Sequence, residues 1–180
     1  MKVRRSAKTA KLERNTEYEP ASIMAKQSAG LLVYRHPAAR LEVFLVHPGG
    51  PFWQNKDMGA WTIPKGEFGP DEAPLDAAKR EFQEETGLSV DGEFIPLQPI
   101  KQRGGKTVHA WMVEADLDPM HIRSNTFSLE WPRGSGKLKE FLEVDRAEWF
   151  TLETAAEKIL ESQRPILDEL KSRMVTREAS

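Results

Sequence analysis

Between residues 80 and 85 the chain reads Arg-Glu-Phe-Gln-Glu-Glu, and a helical reading puts Glu81, Glu84 and Glu85 on one arc. At about 100° of rotation per residue they fall within roughly a third of a turn of each other. Glu81 with Glu84, and Glu81 with Glu85, are then like-charge neighbours, each pair unfavourable by about 0.2–0.5 kcal/mol. Arg80 is the one cation nearby on that arc. Hard oxygen donors crowded together suit a divalent cation, Mg²⁺ or Mn²⁺, which turns the repulsion into attraction. An acidic, solvated helix face is the plainer alternative for an arbitrary run of this kind.

Holding those carboxylates in place requires a helix with fixed ends. Pro74 suits a first helical position, Asp76 adds negative charge to the positive first turn, and Gly87 supplies a left-handed terminator. Leu75, Ala78 and Phe82 form an apolar stripe that would seat the helix on a core.

The wider spacing is more specific. Gly66, five residues, Glu72, seven residues, Arg80-Glu81-Phe82, one residue, Glu84-Glu85, one residue and Gly87-Leu88 together resemble the box of the Nudix hydrolase family. Phe82 departs from it mildly, standing where a smaller aliphatic is usual.

The resemblance implies an α+β fold, an α/β/α sandwich of a mixed sheet with a catalytic loop-helix. It also implies hydrolysis of a nucleoside diphosphate linked to another group, by attack of water on phosphorus. Glu81, Glu84 and Glu85 would hold the metal, with the Gly66 carbonyl completing its sphere. Glu72 and Arg80 would orient them, Arg80 as a bidentate partner for a motif carboxylate. The general base would be a box glutamate or one from the later chain, Glu140 or Glu143. Losing a box glutamate would favour a non-catalytic nucleotide-binding regulator, and none is lost.

The run from Trp61 to Gly66 looks like the Trp-x-x-Pro-Lys-Gly of branches acting on diadenosine polyphosphates or diphosphoinositol phosphates. Lys65 would offer a point charge to an extra phosphate. Trp61, together with the loop aromatics Phe52, Trp53, Phe127 and Trp131, supplies candidate contacts for a substrate whose adenine could be stacked. His109 alternates onto the face of Trp111 and could reach the cleft. His36, His47 and His121 show no metal spacing and are assigned nothing.

Composition bounds the rest. The 180 residues, 39% hydrophobic, fit one domain with a real core, placed at 24–176 around a box at 66–88. With no cysteine, disulfides and thiolate chemistry are excluded. No apolar run approaches the roughly 20 residues of a membrane span and no signal-peptide core is visible, so a cytoplasmic protein is expected. Residues 1–23 carry six Lys/Arg against three Glu, which leaves the remainder at −5 of a net −2. That arm reads as disordered, and contact with RNA is expected only through it; no DNA or membrane partner is expected. A cleft for diphosphoinositol phosphates should be more basic. Diadenosine polyphosphates therefore come first and modified nucleoside triphosphates second. Sequence gives no oligomeric state.

Strands are expected at 29–35 and 41–47 as a hairpin, at 60–63, and at 93–102 and 106–115 as a second hairpin. The residues between 48 and 58 read as a loop, and 116–139 as a long irregular one. A final strand region at 141–144 and 149–150 precedes helices at 152–162 and 165–174.

Overall fold

Two apolar runs near the start of the fold make its first hairpin. β1 (Gln27–Arg35) and β2 (Glu42–Pro48) pair antiparallel around a 3-10 turn at Pro37–Ala39, in a computed structural model that describes residues 26–102 and 104–178. The basic segment 1–23, and any contact it makes with RNA, lies outside the described residues. Seven successive residues of β1 are buried, as a strand covered on both faces requires.

The sheet grows outward from that strand. β3 (Lys65–Glu67) joins β1 antiparallel at Ser28–Gly30. β6 (Thr107–Glu114) runs parallel to β1, with the short β4 (Ile95–Pro96) and β5 (Ile100–Lys101) antiparallel to it. β9 (Val144–Thr151) closes the other side against β2, giving the path β4-β6-β1-β2-β9.

Helices cover both faces. On one, α1 (Pro74–Thr86) buries Ala77, Ala78 and Phe82 against Ala29, Leu31, Val33, Phe44 and Val46. Full burial of a side chain such as Phe82 contributes about 1.5–3 kcal/mol. On the other, α2 (Leu152–Lys158) and α3 (Arg164–Glu178) lie over a core containing Leu32, Tyr34, Leu45, Trp61, Met112, Ile166 and Leu170. The result is the expected α/β/α sandwich. Among the described residues no helix is long and apolar enough to cross a membrane.

Several boundaries differ from the sequence reading. Residues 60–63 make only isolated bridges, Trp61 with Ile159 and Thr62 with Val46; the strand lies just beyond, at β3. The 93–102 run is cut into β4 and β5, because Pro96 and Pro99 have no N–H for a ladder. The largest difference is at 116–139. There β7 (Thr126–Glu130) and β8 (Leu138–Leu142) form a two-stranded ribbon, with Phe127 and Phe141 as a cross-strand pair, ring centroids 6.0 Å apart. The surrounding prolines and glycines hide so short an alternation.

Candidate active site

Backbone hydrogen bonds anchor the last turn of α1 before any side chain acts. Gly87 adopts φ 70°, the left-handed cap, and its N–H donates to the Gln83 carbonyl at 2.7 Å. The carbonyls of Thr86 and Glu84 accept from the N–H groups of Arg123 (2.6 Å) and Asn125 (3.0 Å). The glutamate-bearing turn is therefore tied to the segment that leads into β7.

Close backbone approach sets the other wall. Gly66 on β3 lies so near the Glu81 carboxylate that any Cβ there would collide with it. One strand over, a Cβ at Gly30 would stand 2.5 Å from both the Lys65 Cβ and the Pro64 carbonyl. Gly30 thus lets Lys65 pack onto the sheet beside the carboxylates. A glycine inside an apolar strand is the sequence signal that would have found it.

Charge then accumulates. Arg80 forks onto Glu72, Nε to Oε1 at 2.8 Å and Nη2 to Oε2 at 2.9 Å, and its Nη1 donates to Glu81 and to Glu84 (3.3 Å). The Glu72 bond lowers that carboxyl's pKa and raises the guanidinium's. Glu85 accepts the Lys65 backbone N–H at 2.9 Å. Burial pushes the Glu85 carboxyl up to about 8, with Glu81 and Glu143 adding to the rise and Lys65 opposing it. Burial also lowers the Lys65 ammonium against the pull of Glu85, Glu81 and Glu67. Glu143 is raised by partial burial, then by Glu81 and Glu84.

Glu81, Glu84, Glu85 and Glu143 are therefore one electrostatic group, which Arg80 and Lys65 only partly balance. Among the described residues no three acidic or histidine side chains stand as a finished metal cage. The donor chemistry still fits a hard divalent cation: several carboxylates face one region, and the ionised forms of Glu85 and Glu143 are opposed by burial and then by their neighbours. Glu81, Glu84, Glu85 and the Gly66 backbone are the groups that would hold it.

The remaining candidates separate. Trp61 requires correction as a substrate contact: it is 1% exposed, packs on Phe150 and His47, and donates Nε1–H to Asp57 at 2.9 Å. Phe52 is 58% exposed and meets Trp131 edge-on at 5.5 Å, bringing these two loop aromatics together. Trp53 packs at the edge of the core, with Lys56 over its ring, and Phe127 lies against Gly50. His109 sits 2.6 Å from the Gln27 Oε1 and edge-on to Phe68, satisfied within the sheet. Glu140 is exposed on β8 opposite Ser128 and takes no part in the shift of Glu143. Asn125, which bonds the Glu143 N–H through its carbonyl, gave no sequence signal.

A cavity of about 430 Å³ opens at α3, lined by Ile95, Met112, Arg173 and Arg177. Arg173 is held by Glu169 and the Pro96 carbonyl, and Arg177 by the Tyr34 hydroxyl, so its polar rim is already engaged.

The chain is 49% identical over 50 residues to an RNA pyrophosphohydrolase from Erythrobacter litoralis, covering 27% of this chain and 30% of that one. It is 29% identical over 112 residues to the asymmetrical bis(5'-nucleosyl)-tetraphosphatase of Rattus norvegicus, covering 56% and 72%. The chain thus spans under a third of the length of some curated relatives that it matches. Its fold is similar to that of a C. elegans Ap4A hydrolase in a binary complex, TM-score 0.59 at 22% identity, over 84% of this chain and 99% of that one. A family model described as the NUDIX domain matches residues 24–170, a span that takes in the box, the sheet and Glu143 alike, and the chain belongs to that family.

Proposed function

We propose that the protein hydrolyses a phosphoanhydride bond in a nucleoside diphosphate-linked substrate, using Mg²⁺ or Mn²⁺. The observation that carries this reading is the gathering of Glu81, Glu84, Glu85 and Glu143 by Gly66, where burial first and the neighbouring carboxylates second raise Glu85 and Glu143. A divalent cation would supply neutralisation of the anhydride's charge and acidify the attacking water.

The chain's own residues do the rest. Arg80 locks Glu72 and Glu81 in place, so the carboxylates are positioned before substrate arrives. Lys65 brings an ammonium to the same ground, where a phosphate could pair with it. Glu143, raised above an ordinary carboxyl, accepts the proton as the water oxygen attacks phosphorus. The bond from phosphorus to the leaving oxygen breaks, and its electron pair leaves with that oxygen.

Diadenosine polyphosphate is the first substrate choice and a modified nucleoside triphosphate the second. The rat relative's name supports the first, as does Lys65 beside the carboxylates. The Phe52–Trp131 pair is the place for a base to stack. The 49% local identity to an RNA pyrophosphohydrolase favours a second reading, 5'-end hydrolysis of RNA.

A Mg²⁺-dependent release assay over dinucleoside polyphosphates, nucleoside triphosphates and 5'-triphosphate RNA separates these. Turnover should be fastest on a dinucleoside polyphosphate and should collapse in Glu84→Gln and Glu85→Gln. Exclusive turnover of RNA would reverse the substrate order. Undiminished activity in both variants would remove the chemistry from the box.

A further inference from the structure

His47, next to last in β2, has its side chain fully buried. Its Nδ1 lies 2.7 Å from the Asp145 Oδ1, and its Nε2 lies 2.7 Å from the Lys56 carbonyl. A carbonyl oxygen can only accept, so Nε2 carries its hydrogen, and the Nδ1–Asp145 contact is a short bond to an acidic group. The indole of Trp61 packs edge-on to the ring, centroids 5.2 Å apart.

Both partners lie on segments that lead to the site. The β2–β9 register slips beside His47, which faces Arg146, while Pro48 faces Val144. Asp145 is left as the extra residue of a β-bulge, a device that re-aims a side chain. Two residues earlier, the Glu143 carbonyl accepts from Gly49 N–H and the Glu143 N–H donates to Asn125, both at 2.9 Å. A Cβ at Gly49 would run into the Leu142 carbonyl, so this crossing tolerates no side chain. Lys56, at the other end, closes the loop that carries Phe52 towards Trp131.

We propose that His47 is a positioning residue: with Asp145 it fixes the bulge that holds Glu143 beside the box carboxylates, and through Lys56 it fixes the loop bearing Phe52. The proposal rests on the hydrolase reading given above and adds to it a residue that touches neither substrate nor metal.

Its test uses the full-length enzyme, Mg²⁺ and a dinucleoside tetraphosphate. His47→Gln keeps a donor within reach of the Lys56 carbonyl and loses the bond to Asp145. kcat should fall about ten- to hundredfold, the scale of a misplaced reacting group, with KM within about threefold. In a Glu143→Gln background the same change should cost nothing further. Amide hydrogen exchange should speed up at 143–145 while α1 keeps its protection. Should His47→Gln not fold, Asp145→Asn, which keeps an acceptor oxygen and removes the charge, carries the same comparison.

Full kcat in a folded variant, equal losses in both backgrounds, or unchanged exchange at 143–145 would each overturn the proposal. If the unaltered enzyme turns nothing over, the hydrolase reading fails by itself, and exchange still decides whether His47 fixes the strand of Glu143.

Discussion

Two polar groups are built into this molecule, and they are wired differently. Around Trp61, every charge has its counterpart: Asp57 takes the Lys158 ammonium at 2.6 Å and the Trp61 N–H, and Asp145 takes His47. At the rim of α1, four carboxylates share one guanidinium and one ammonium, and burial first, then the neighbouring carboxylates, raises Glu85 and Glu143. The first arrangement stabilises a core edge. The second opposes its own folding unless something positive binds there, and that contrast distinguishes a working site from a support.

The sharpest way to break the contrast is to neutralise one member of the rim. Glu85→Gln should reduce kcat at least about a hundredfold, the scale seen when a charge-stabilising group is removed. It should also raise the melting temperature by about 2–4 °C for each kcal/mol of charge burial and repulsion relieved. Calorimetric melting beside a rate assay checks both, and a loss of activity with a loss of stability would count against a strained site.

Next in size is the wall that holds Lys65. Gly30→Ala places a methyl 2.5 Å from the Lys65 Cβ, and overpacking of this kind costs about 1–3 kcal/mol. Denaturant unfolding should show that loss, with activity falling as Lys65 shifts. Unaltered rate and stability would mean that the sheet yields there freely.

Around Trp61 the expectation reverses. Trp61→Phe removes the bond to Asp57 and part of the indole's burial, so stability should fall by about 1–2 kcal/mol while KM holds. A raised KM at full stability would return Trp61 to the substrate site.

The smallest effect belongs to Asp57→Asn. The Lys158 and Trp61 bonds depress the folded pKa of Asp57, so its contribution is complete above the unfolded value near 4 and fades as pH falls through the folded one. The Asp57 side chain is 52% exposed, which keeps the contribution under about 1 kcal/mol. Unfolding curves of the two proteins should differ at neutral pH and converge in acid; a gap that widens in acid would contradict the pairing.

Legibility in the sequence follows the same division. α1 could be read because its signals are local: Pro74, Gly87 and the stripe through Ala78 and Phe82 act within a few residues of each other. The α/β/α fold followed from the box resemblance together with the pattern of strands and helices, which fits a mixed sheet covered on both faces. The ribbon β7–β8 stayed hidden because its cross-strand pair, Phe127 with Phe141, spans a turn broken by Pro132, Gly134 and Gly136. Glu140 and Glu143 looked equivalent, since the bonds that separate them come from Gly49 and Asn125 far along the chain. Trp61 misled for a related reason: a motif position says what precedes Lys65, whereas burial under α2 is decided by tertiary packing. His47 had no spacing partner because Asp145 reaches it only across a bulge.

A titration of Mn²⁺ followed by electron paramagnetic resonance, on the unaltered protein and on Glu85→Gln, examines the rim directly. Free Mn²⁺ signal should be suppressed by the unaltered protein and recover by at least tenfold in apparent affinity loss when Glu85 is neutralised. Equal uptake by both, or no uptake by either with a dinucleoside polyphosphate present, would mean that these carboxylates gather for some reason other than holding a cation.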